Sequence, residues 1–130
     1  MDGAAEGHCV SCLAVGAAVL MLTTPDFQLS WTHSVERVEW QEDWRIHDHA
    51  LSLTAARVRG SGAGMEPGEN ARFRDGWWEW PGDLRVPALI LAASGATGAG
   101  WTLCANGECL DLGAQSGEPI VLKPCEGDTQ

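Results

Sequence analysis

Positive charge is scarce in this sequence of 130 residues. Only Lys123 is a lysine, the other seven cations are arginines, and 18 acidic residues bring the formal net charge to −10. No run of basic residues is available to neutralise phosphates, which argues against a nucleic-acid partner. An anionic membrane surface is an unsuitable partner for the same reason.

Long apolar runs are also absent. The longest run, Cys12 to Leu22, has 11 residues and is too short to span a bilayer. The segment before it contains two acids and no Lys or Arg, whereas a secretory signal begins with basic residues. We therefore interpret the run as a buried strand. If the chain is exported, we expect its native signal to have been removed or replaced.

Common catalytic and nucleotide-binding signatures are missing as well. The glycine-rich segment RGSGAGMEPGEN at 59–70 lacks the lysine of a P-loop, and no helix signal follows it. Its successive backbone amides could still form an anion-binding nest. No G-x-S-x-G nucleophile elbow occurs. Ser34 directly follows His33, so on a strand the two side chains would point to opposite faces, badly placed as nucleophile and base.

The sequence does contain many short runs of β-forming residues, separated by turn signals rich in Gly, Pro and Asp. The runs are 13–22, 26–34, 38–47, 51–59, 71–80, 86–93, 100–104, 109–112 and 119–123. This spacing is typical of an all-β protein. From the length we expect a single domain over residues 1–130, folded as a small antiparallel sandwich or barrel of roughly eight short strands.

Two of the five cysteines flank a strong turn signal. In LCANGECL, at 103–110, Asn106 and Gly107 can both adopt the positive φ of a two-residue hairpin turn. Cys104 then faces Cys109 at a Cα separation of roughly 4.5 Å, which a disulfide accepts. We predict this bridge, given an oxidising compartment.

The other three cysteines leave alternatives open. HCVSC at 8–12 has metal-ligand or redox spacing, but no second close pair is free to complete a zinc site. We therefore favour a bridge from Cys125 to either Cys9 or Cys12. The remaining cysteine is then unpaired or bonded to another chain. We predict no metal and no cofactor.

Two short segments have more than one interpretation. IHDHA at 46–50 places His47 and His49 on one strand face as a metal pair, although the aspartate between them is more typical of a turn. GWWEWPG at 76–82 places Trp78 and Trp80 on one face and Trp77 on the other. An exposed Trp77 could stack on a ligand.

A polar pair interrupts two apolar faces within SWTHSVERVEWQEDWRIH, residues 30–47. Period-two alternation puts His33 on a face with Trp31, and Glu42 on a face with Trp40. A tight turn at Glu36-Arg37 would pair His33 with Trp40 and Trp31 with Glu42, which brings Glu42 diagonal to His33.

A carboxylate buried at this position must be paired or protonated. His33 is the nearest candidate partner of Glu42, and Arg45 and Arg57 are alternatives. We interpret His33 and Glu42 as a polar pair that fixes the hairpin register, with a binding role as the alternative.

Four segments together resemble a known family: WTHSVERVEWQEDWRI, ARVRGSGAGMEP, DGWWEW and LCANGECLDL. Their order is similar to that in an uncharacterised bacterial family of small extracytoplasmic domains of unknown function. Members are often encoded beside TRAP-type transporters of the TAXI class. The resemblance covers residues 12–112, and residues 1–11 and 113–130 lie outside it.

The resemblance implies a secreted or membrane-tethered β-domain without an established enzymatic activity. Its most specific parts are Thr32 to Glu36 and the glycine-rich segment at 60–67. The binding candidates are therefore His33, Ser34, Glu36, Glu42, Gly62 and Gly64.

We accordingly expect a non-catalytic accessory domain of a TAXI-type TRAP solute uptake system, in the periplasm or elsewhere outside the cytoplasm. It would act by binding a transporter component or its solute-binding protein. The first alternative is a small-ligand or metal-binding module centred on His33, Glu36 and Glu42. The second alternative is a hydrolase that uses His33 and Ser34.

Overall fold

Twelve β-strands account for most of the chain that the computed structural model describes, which comprises residues 11–32, 38–59, 70–92, 100–113 and 117–125. They are β1 (Ser11–Val15), β2 (Ala18–Leu22), β3 (Asp26–Thr32), β4 (Glu39–His47), β5 (Ala50–Arg59), β6 (Arg72–Arg74), β7 (Trp77–Pro81), β8 (Arg85–Val86), β9 (Leu89–Leu91), β10 (Trp101–Ala105), β11 (Glu108–Leu112) and β12 (Ile120–Pro124). These ranges contain no helix that is long and apolar enough to cross a membrane.

The strands form two antiparallel sheets. The smaller sheet has the order β2-β1-β12-β9, and the larger has the order β11-β10-β3-β4-β5-β7-β6, with β8 also paired to β5. Side chains of both sheets meet in a shared core of Leu13, Val15, Leu22, Phe27, Leu29, Trp44, Leu51, Leu91, Leu103 and Leu122. The predicted all-β class is confirmed, in its sandwich form and not as a closed barrel.

Two of the predicted runs each contain a hairpin instead of one strand. The run 13–22 reverses after Val15, which faces Ala18, and the run 71–80 reverses after Arg74, which faces Trp77. The backbone takes positive φ at Gly16, Asp75 and Gly76. Two-residue turns of this kind match the twist of paired strands. In the sequence, an apolar run that contains such a turn resembles a single strand.

A β-bulge allows both halves of β5 to face the core. Asp43 of β4 faces Ala55, whereas Trp44 faces Leu53, so Thr54 is the extra residue. The Thr54 hydroxyl donates to the Asp43 carbonyl oxygen at 3.1 Å. One extra residue reverses the alternation of side chains. Odd-numbered residues therefore face inward before the bulge and even-numbered residues after it. The inward-facing residues are Leu51, Leu53, Ala56 and Val58.

The turn between β4 and β5 resolves the interpretation of the two neighbouring histidines. Asp48 and His49 form a two-residue turn with φ of 53° and 62°, closed by the pair His47 and Ala50. The predicted turn is therefore the one observed. Within the described ranges, no group of three or more His, Cys, Asp or Glu residues is arranged to hold a metal ion.

The turn between β10 and β11 is tied to the smaller sheet by one side chain. Asn106 and Gly107 have φ of 58° and 76°, as the Asn-Gly signal predicted. Asn106 Oδ1 accepts hydrogen bonds from the Thr23 amide at 2.8 Å and the Thr23 hydroxyl at 3.0 Å. Asn106 Nδ2 donates to the Met21 carbonyl oxygen at 2.9 Å. Met21 lies in β2, so Asn106 joins an edge of the smaller sheet to a hairpin of the larger.

Two disulfides occur in the part of the chain that is described. Cys104 is bonded to Cys109 across the hairpin with a Cα separation of 4.0 Å, as predicted. Cys12 is bonded to Cys125 with a Cα separation of 5.3 Å, which selects one of the two predicted partners of Cys125. Cys9 lies outside the described residues. The two disulfides are consistent with an oxidising, extracytoplasmic location.

We expect the two disulfides to contribute unequally to stability, because they join residues separated by 113 and by 5 positions. In the chain-entropy model the long loop contributes about 5 kcal/mol and the short loop about 2 kcal/mol. Replacing Cys12 and Cys125 with serine should therefore lower the free energy of unfolding about twice as much as replacing Cys104 and Cys109. Urea titration measures both losses, and a larger loss for the hairpin pair would contradict the expectation.

Asn106→Gly should destabilise the protein although glycine suits the turn. The substitution removes the hydrogen bonds to Thr23 and Met21, at a cost of about 1–2 kcal/mol. Asp75→Gly is the matched control, since Asp75 is the first residue of another two-residue turn and also has positive φ, at 54°. Urea unfolding of both variants makes the comparison. An equal effect of the two substitutions would show that the Asn106 contacts contribute little.

Candidate binding surface

The register of the β3–β4 hairpin differs by two residues from the predicted one. Trp31 lies opposite Trp40, and Leu29 lies opposite Glu42. The predicted pairs of His33 with Trp40 and of Trp31 with Glu42 are therefore wrong. A shift of two residues leaves every side chain on its predicted face, so the inward position of Glu42 is unaffected.

The predicted register depended on a tight turn at Glu36-Arg37, which is a weak turn signal. The described part of β3 ends at Thr32, which lies opposite Glu39 of β4, and residues 33–37 lie outside the described residues. Glu36 and Arg37 lack the tolerance of positive φ that a tight hairpin turn requires. The stacked cross-strand pair of Trp31 and Trp40 stabilises the observed register instead.

Aromatic side chains line up across the inner face of the larger sheet. The pairings of neighbouring strands bring Trp31 beside Trp40, Trp40 beside Val58, and Val58 beside Trp78. Phe73 continues the line on β6, and Trp101 continues it on β10. We call this line the tryptophan row: Trp101, Trp31, Trp40, Val58, Trp78 and Phe73.

The rings of the tryptophan row contact one another along much of its length. Trp31 and Trp40 are stacked, with centroids 6.0 Å apart and planes inclined by 7°. Trp31 also contacts Trp101 at 4.8 Å. Trp80, which lies beside the row on β7, meets the Trp40 ring edge-on at 6.3 Å. Each such pair stabilises the sheet by about 0.5–1.5 kcal/mol beyond the area that it buries. These contacts hold the rings against one another on the sheet.

The smaller sheet leaves most of the tryptophan row uncovered. Trp101 packs against the shared core, but Trp31, Trp40 and Trp78 are not part of it and are partly exposed. Phe73, which contacts Trp78 at 5.1 Å, is 56% exposed. A contiguous, partly exposed aromatic surface on a folded domain is typical of a binding site.

Glu42 lies at the boundary between the core and the tryptophan row. Its cross-strand neighbours are Leu29 and Ala56, which are both buried. Glu42 Oε1 accepts a hydrogen bond from Trp44 Nε1 at 3.0 Å. Burial raises the pKa of Glu42 above its ordinary value, and the bond from Trp44 offsets part of that rise. A half-buried carboxyl with a raised pKa beside an open aromatic surface is a candidate functional group.

The arginines predicted as alternative partners of Glu42 lie on the opposite, outer face. Arg57 Nη2 contacts Asp43 Oδ2 at 2.7 Å and Glu79 Oε2 at 2.9 Å. The bond with Asp43 is the main reason that the pKa of Arg57 is raised further. Arg45 Nε lies 3.8 Å from an aspartate of β3. Neither arginine neutralises the charge of the Glu42 carboxylate.

The cluster around Arg57 was missed in the sequence. Gln41 Oε1 accepts from Arg57 Nη1 at 3.0 Å, and Gln28 Nε2 donates to Asp43 Oδ1 at 3.2 Å. Alternation along β4 and β5 does assign these polar residues to one face. Glu79, on β7, could be added only once the strand order was known. The network is satisfied, which indicates a role in holding β4, β5 and β7 together.

Trp77 lies on this outer face, as the alternation predicted, and is partly exposed. The Arg59 guanidinium sits 5.3 Å from the centroid of the Trp77 ring. This cation–π contact occupies one side of the ring. A ligand that stacked on this side of the Trp77 ring would therefore have to displace the Arg59 guanidinium.

The remaining predicted site residues fall outside the described residues: His33, Ser34, Glu36, Gly62 and Gly64. The pairing of His33 with Glu42 and the hydrolase alternative stay predictions for that reason. The described strands that lead into these segments end at Thr32 and Arg59. Trp31 and Val58, which immediately precede those ends, both belong to the tryptophan row. Both motifs therefore follow directly in the chain from this surface.

These features define a disulfide-bonded β-sandwich domain whose larger sheet carries a partly exposed aromatic row. Residues 27–112 match the domain of unknown function DUF1850, and the chain belongs to this family. The matched region contains the whole tryptophan row and Glu42. No curated protein and no solved structure shows a significant match to the chain. The match itself shows no link to TRAP transporters.

The raised pKa of Glu42 predicts a pH-dependent effect of Glu42→Gln. An unfolded glutamate loses its proton near the ordinary value of 4.5, whereas folded Glu42 keeps it to higher pH. The stability that Glu42 contributes is thus fully present below about pH 4.5 and is lost as the pH rises through the folded pKa. Glutamine accepts the same bond from Trp44 and does not ionise.

The melting temperature of Glu42→Gln should therefore match that of the wild type near pH 4 and exceed it near pH 7. Thermal unfolding at the two pH values makes the measurement. A variant that is less stable than the wild type at pH 7, but equally stable at pH 4, would mean that the Glu42 carboxylate has a compensating partner.

Proposed function

We propose that this chain is a non-catalytic, extracytoplasmic binding domain that recognises another protein through the tryptophan row. The observation that carries this proposal is the line of five aromatic side chains and Val58 across six neighbouring strands, most of which the smaller sheet leaves uncovered. Aromatic side chains provide a large contact area and lose little conformational entropy on binding, so they dominate many protein interfaces.

The arrangement of rings supports binding over a purely structural role. Ala56 and Val58 are 4% and 0% exposed, so the rings already shield the backbone and small side chains beneath them. Phe73 adds little to that shielding, since more than half of its own surface remains open to solvent. An apolar side chain this exposed, next to further partly exposed rings, is available to a partner without any change in the fold.

A component of a TAXI-type TRAP transporter is the partner that we propose first, either a membrane subunit or the solute-binding protein. Support for this choice is the family resemblance of the segments at 32–36 and 60–67, which follow directly from the tryptophan row. The disulfides support a periplasmic site of action, where such bonds form and persist.

A second candidate function is the binding of a small molecule beside Glu42. The Trp40 Nε1 donor is buried and has no hydrogen-bond acceptor among the described residues. A buried donor without an acceptor is costly, and a ligand carbonyl or carboxylate could satisfy it. The half-buried Glu42 carboxyl lies two residues along the same face and could bind a donor of the same molecule.

Phe73→Ala tests the leading proposal. The variant should fold with little loss of stability, because the ring is largely exposed, and should bind the solute-binding protein of the cognate transporter about fivefold or more weakly than the wild type. Leu84→Ala is the matched control, since Leu84 is 50% exposed and lies outside the tryptophan row. Biolayer interferometry gives the affinities, and thermal unfolding gives the stabilities.

Equal affinity of the Phe73 and Leu84 variants would show that the tryptophan row is not part of the interface. If the wild-type domain bound neither the solute-binding protein nor the membrane subunits, the transporter partner would be rejected. A small molecule that co-purifies with the wild type, and is lost in Glu42→Gln, would favour the second candidate.

A further inference from the structure

The outer face of the smaller sheet is apolar and exposed. Side chains that alternate with the buried ones point outward from all four of its strands. Val19 and Met21 on β2 are 57% and 53% exposed, Ile90 on β9 is 71% exposed, and Val121 on β12 is 36% exposed. Ala14 lies between them on β1, paired with Val19. We call this surface the aliphatic face: Val19, Met21, Ile90, Val121 and Ala14.

Charge is distributed unevenly with respect to the aliphatic face. Among the described residues that point outward from these four strands, none is acidic, although the chain carries 18 carboxylates. The one charged side chain there is Lys123, the single lysine of the sequence, which is paired with Ala14. A lysine can extend its amine away from an apolar surface while its aliphatic stem stays in contact with it.

The size of the aliphatic face argues against a second copy of the chain as its occupant. Four strands of about five residues span roughly 300 Å², from strand spacing and rise. A stable protein interface buries about 800 Å² on each partner. The face also lacks the Trp, Tyr and Arg anchors that dominate specific protein interfaces. A surface of branched aliphatic and thioether side chains needs an occupant that is apolar and makes no demand for specific polar contacts.

We propose that the aliphatic face rests on the surface of a lipid bilayer of low net charge, with Val19, Met21, Ile90 and Val121 inserted among the upper acyl chains. The interface region of a bilayer meets the requirement for an apolar occupant without specific polar contacts. Lys123 reaches the headgroup phosphates. The net charge of −10 opposes binding to an anionic bilayer, so the occupant is a neutral or zwitterionic lipid surface.

Co-sedimentation with phosphatidylcholine vesicles tests this proposal. The wild type should bind the vesicles, and the double substitution Val19→Ser with Ile90→Ser should reduce the partition coefficient about tenfold or more, because two exposed aliphatic side chains are lost. Leu84→Ser with Leu110→Ser is the matched control, as these residues are 50% and 41% exposed but lie elsewhere. The control should bind like the wild type. Adding phosphatidylglycerol at low ionic strength should weaken binding, and salt should restore it.

A second measurement keeps the test independent of how the variants fold. Gadolinium-labelled lipid headgroups in the vesicles should broaden the methyl NMR signals of Val19, Met21, Ile90 and Val121 in the wild type, and leave that of Leu84 sharp. No partition of the wild type into phosphatidylcholine, or broadening of Leu84 alone, would overturn the proposal. Loss of vesicle binding in the control variant would show that another surface contacts the lipid, which would also overturn the proposal. The assay contains no protein partner, so its failure leaves the function of the tryptophan row untouched.

Discussion

The inner face of the larger sheet is wider than the smaller sheet that packs on it, and the rest of the structure follows from this mismatch. Where the two sheets overlap, leucines, Phe27 and Trp44 form the shared core. Beyond the overlap the inner face must still be shielded from water, and the tryptophans provide that shield, whereas Phe73 is largely exposed. The tryptophan rings cover Ala56 and Val58, which are buried although they lie outside the shared core. The same shield leaves an aromatic surface open to a partner.

Glu42 lies where the two halves of that face meet. An apolar residue there would extend the core, and burial of the carboxyl lowers stability at neutral pH because the charged form is poorly solvated. Local features that reduce stability without a structural gain often mark functional sites. The bond from Trp44 holds the carboxyl at the edge of the tryptophan row, where a ligand or partner could reach it.

The smaller sheet is attached to the larger through the shared core and through hydrogen bonds of one side chain. The shared core provides the apolar contact, and Asn106 bonds the β10–β11 turn to Thr23 and Met21. The disulfide from Cys12 to Cys125 joins β1 to the end of β12 within the smaller sheet. Strands β1, β2 and β12 lie outside the region matched to DUF1850, at 27–112. The larger sheet with its tryptophan row is therefore the part that the family match describes. Three strands of the smaller sheet flank that part in sequence, and the fourth, β9, lies within it.

Local chemistry was enough to determine several features from the sequence alone. Alternation of apolar residues predicted the β class and the inward face of Glu42, and Asn106-Gly107 predicted the turn that aligns Cys104 with Cys109. These features depend on residues that are neighbours in the chain. Four others required the tertiary structure: the β3–β4 register, the choice of Cys12 for Cys125, the bonding of Arg57 to Glu79, and the alignment of the tryptophan row. Each of them depends on which strands are neighbours in the sheet and on the register between them. Short-range sequence patterns determine neither, because a register shift of two residues leaves every side chain on the same face of the sheet.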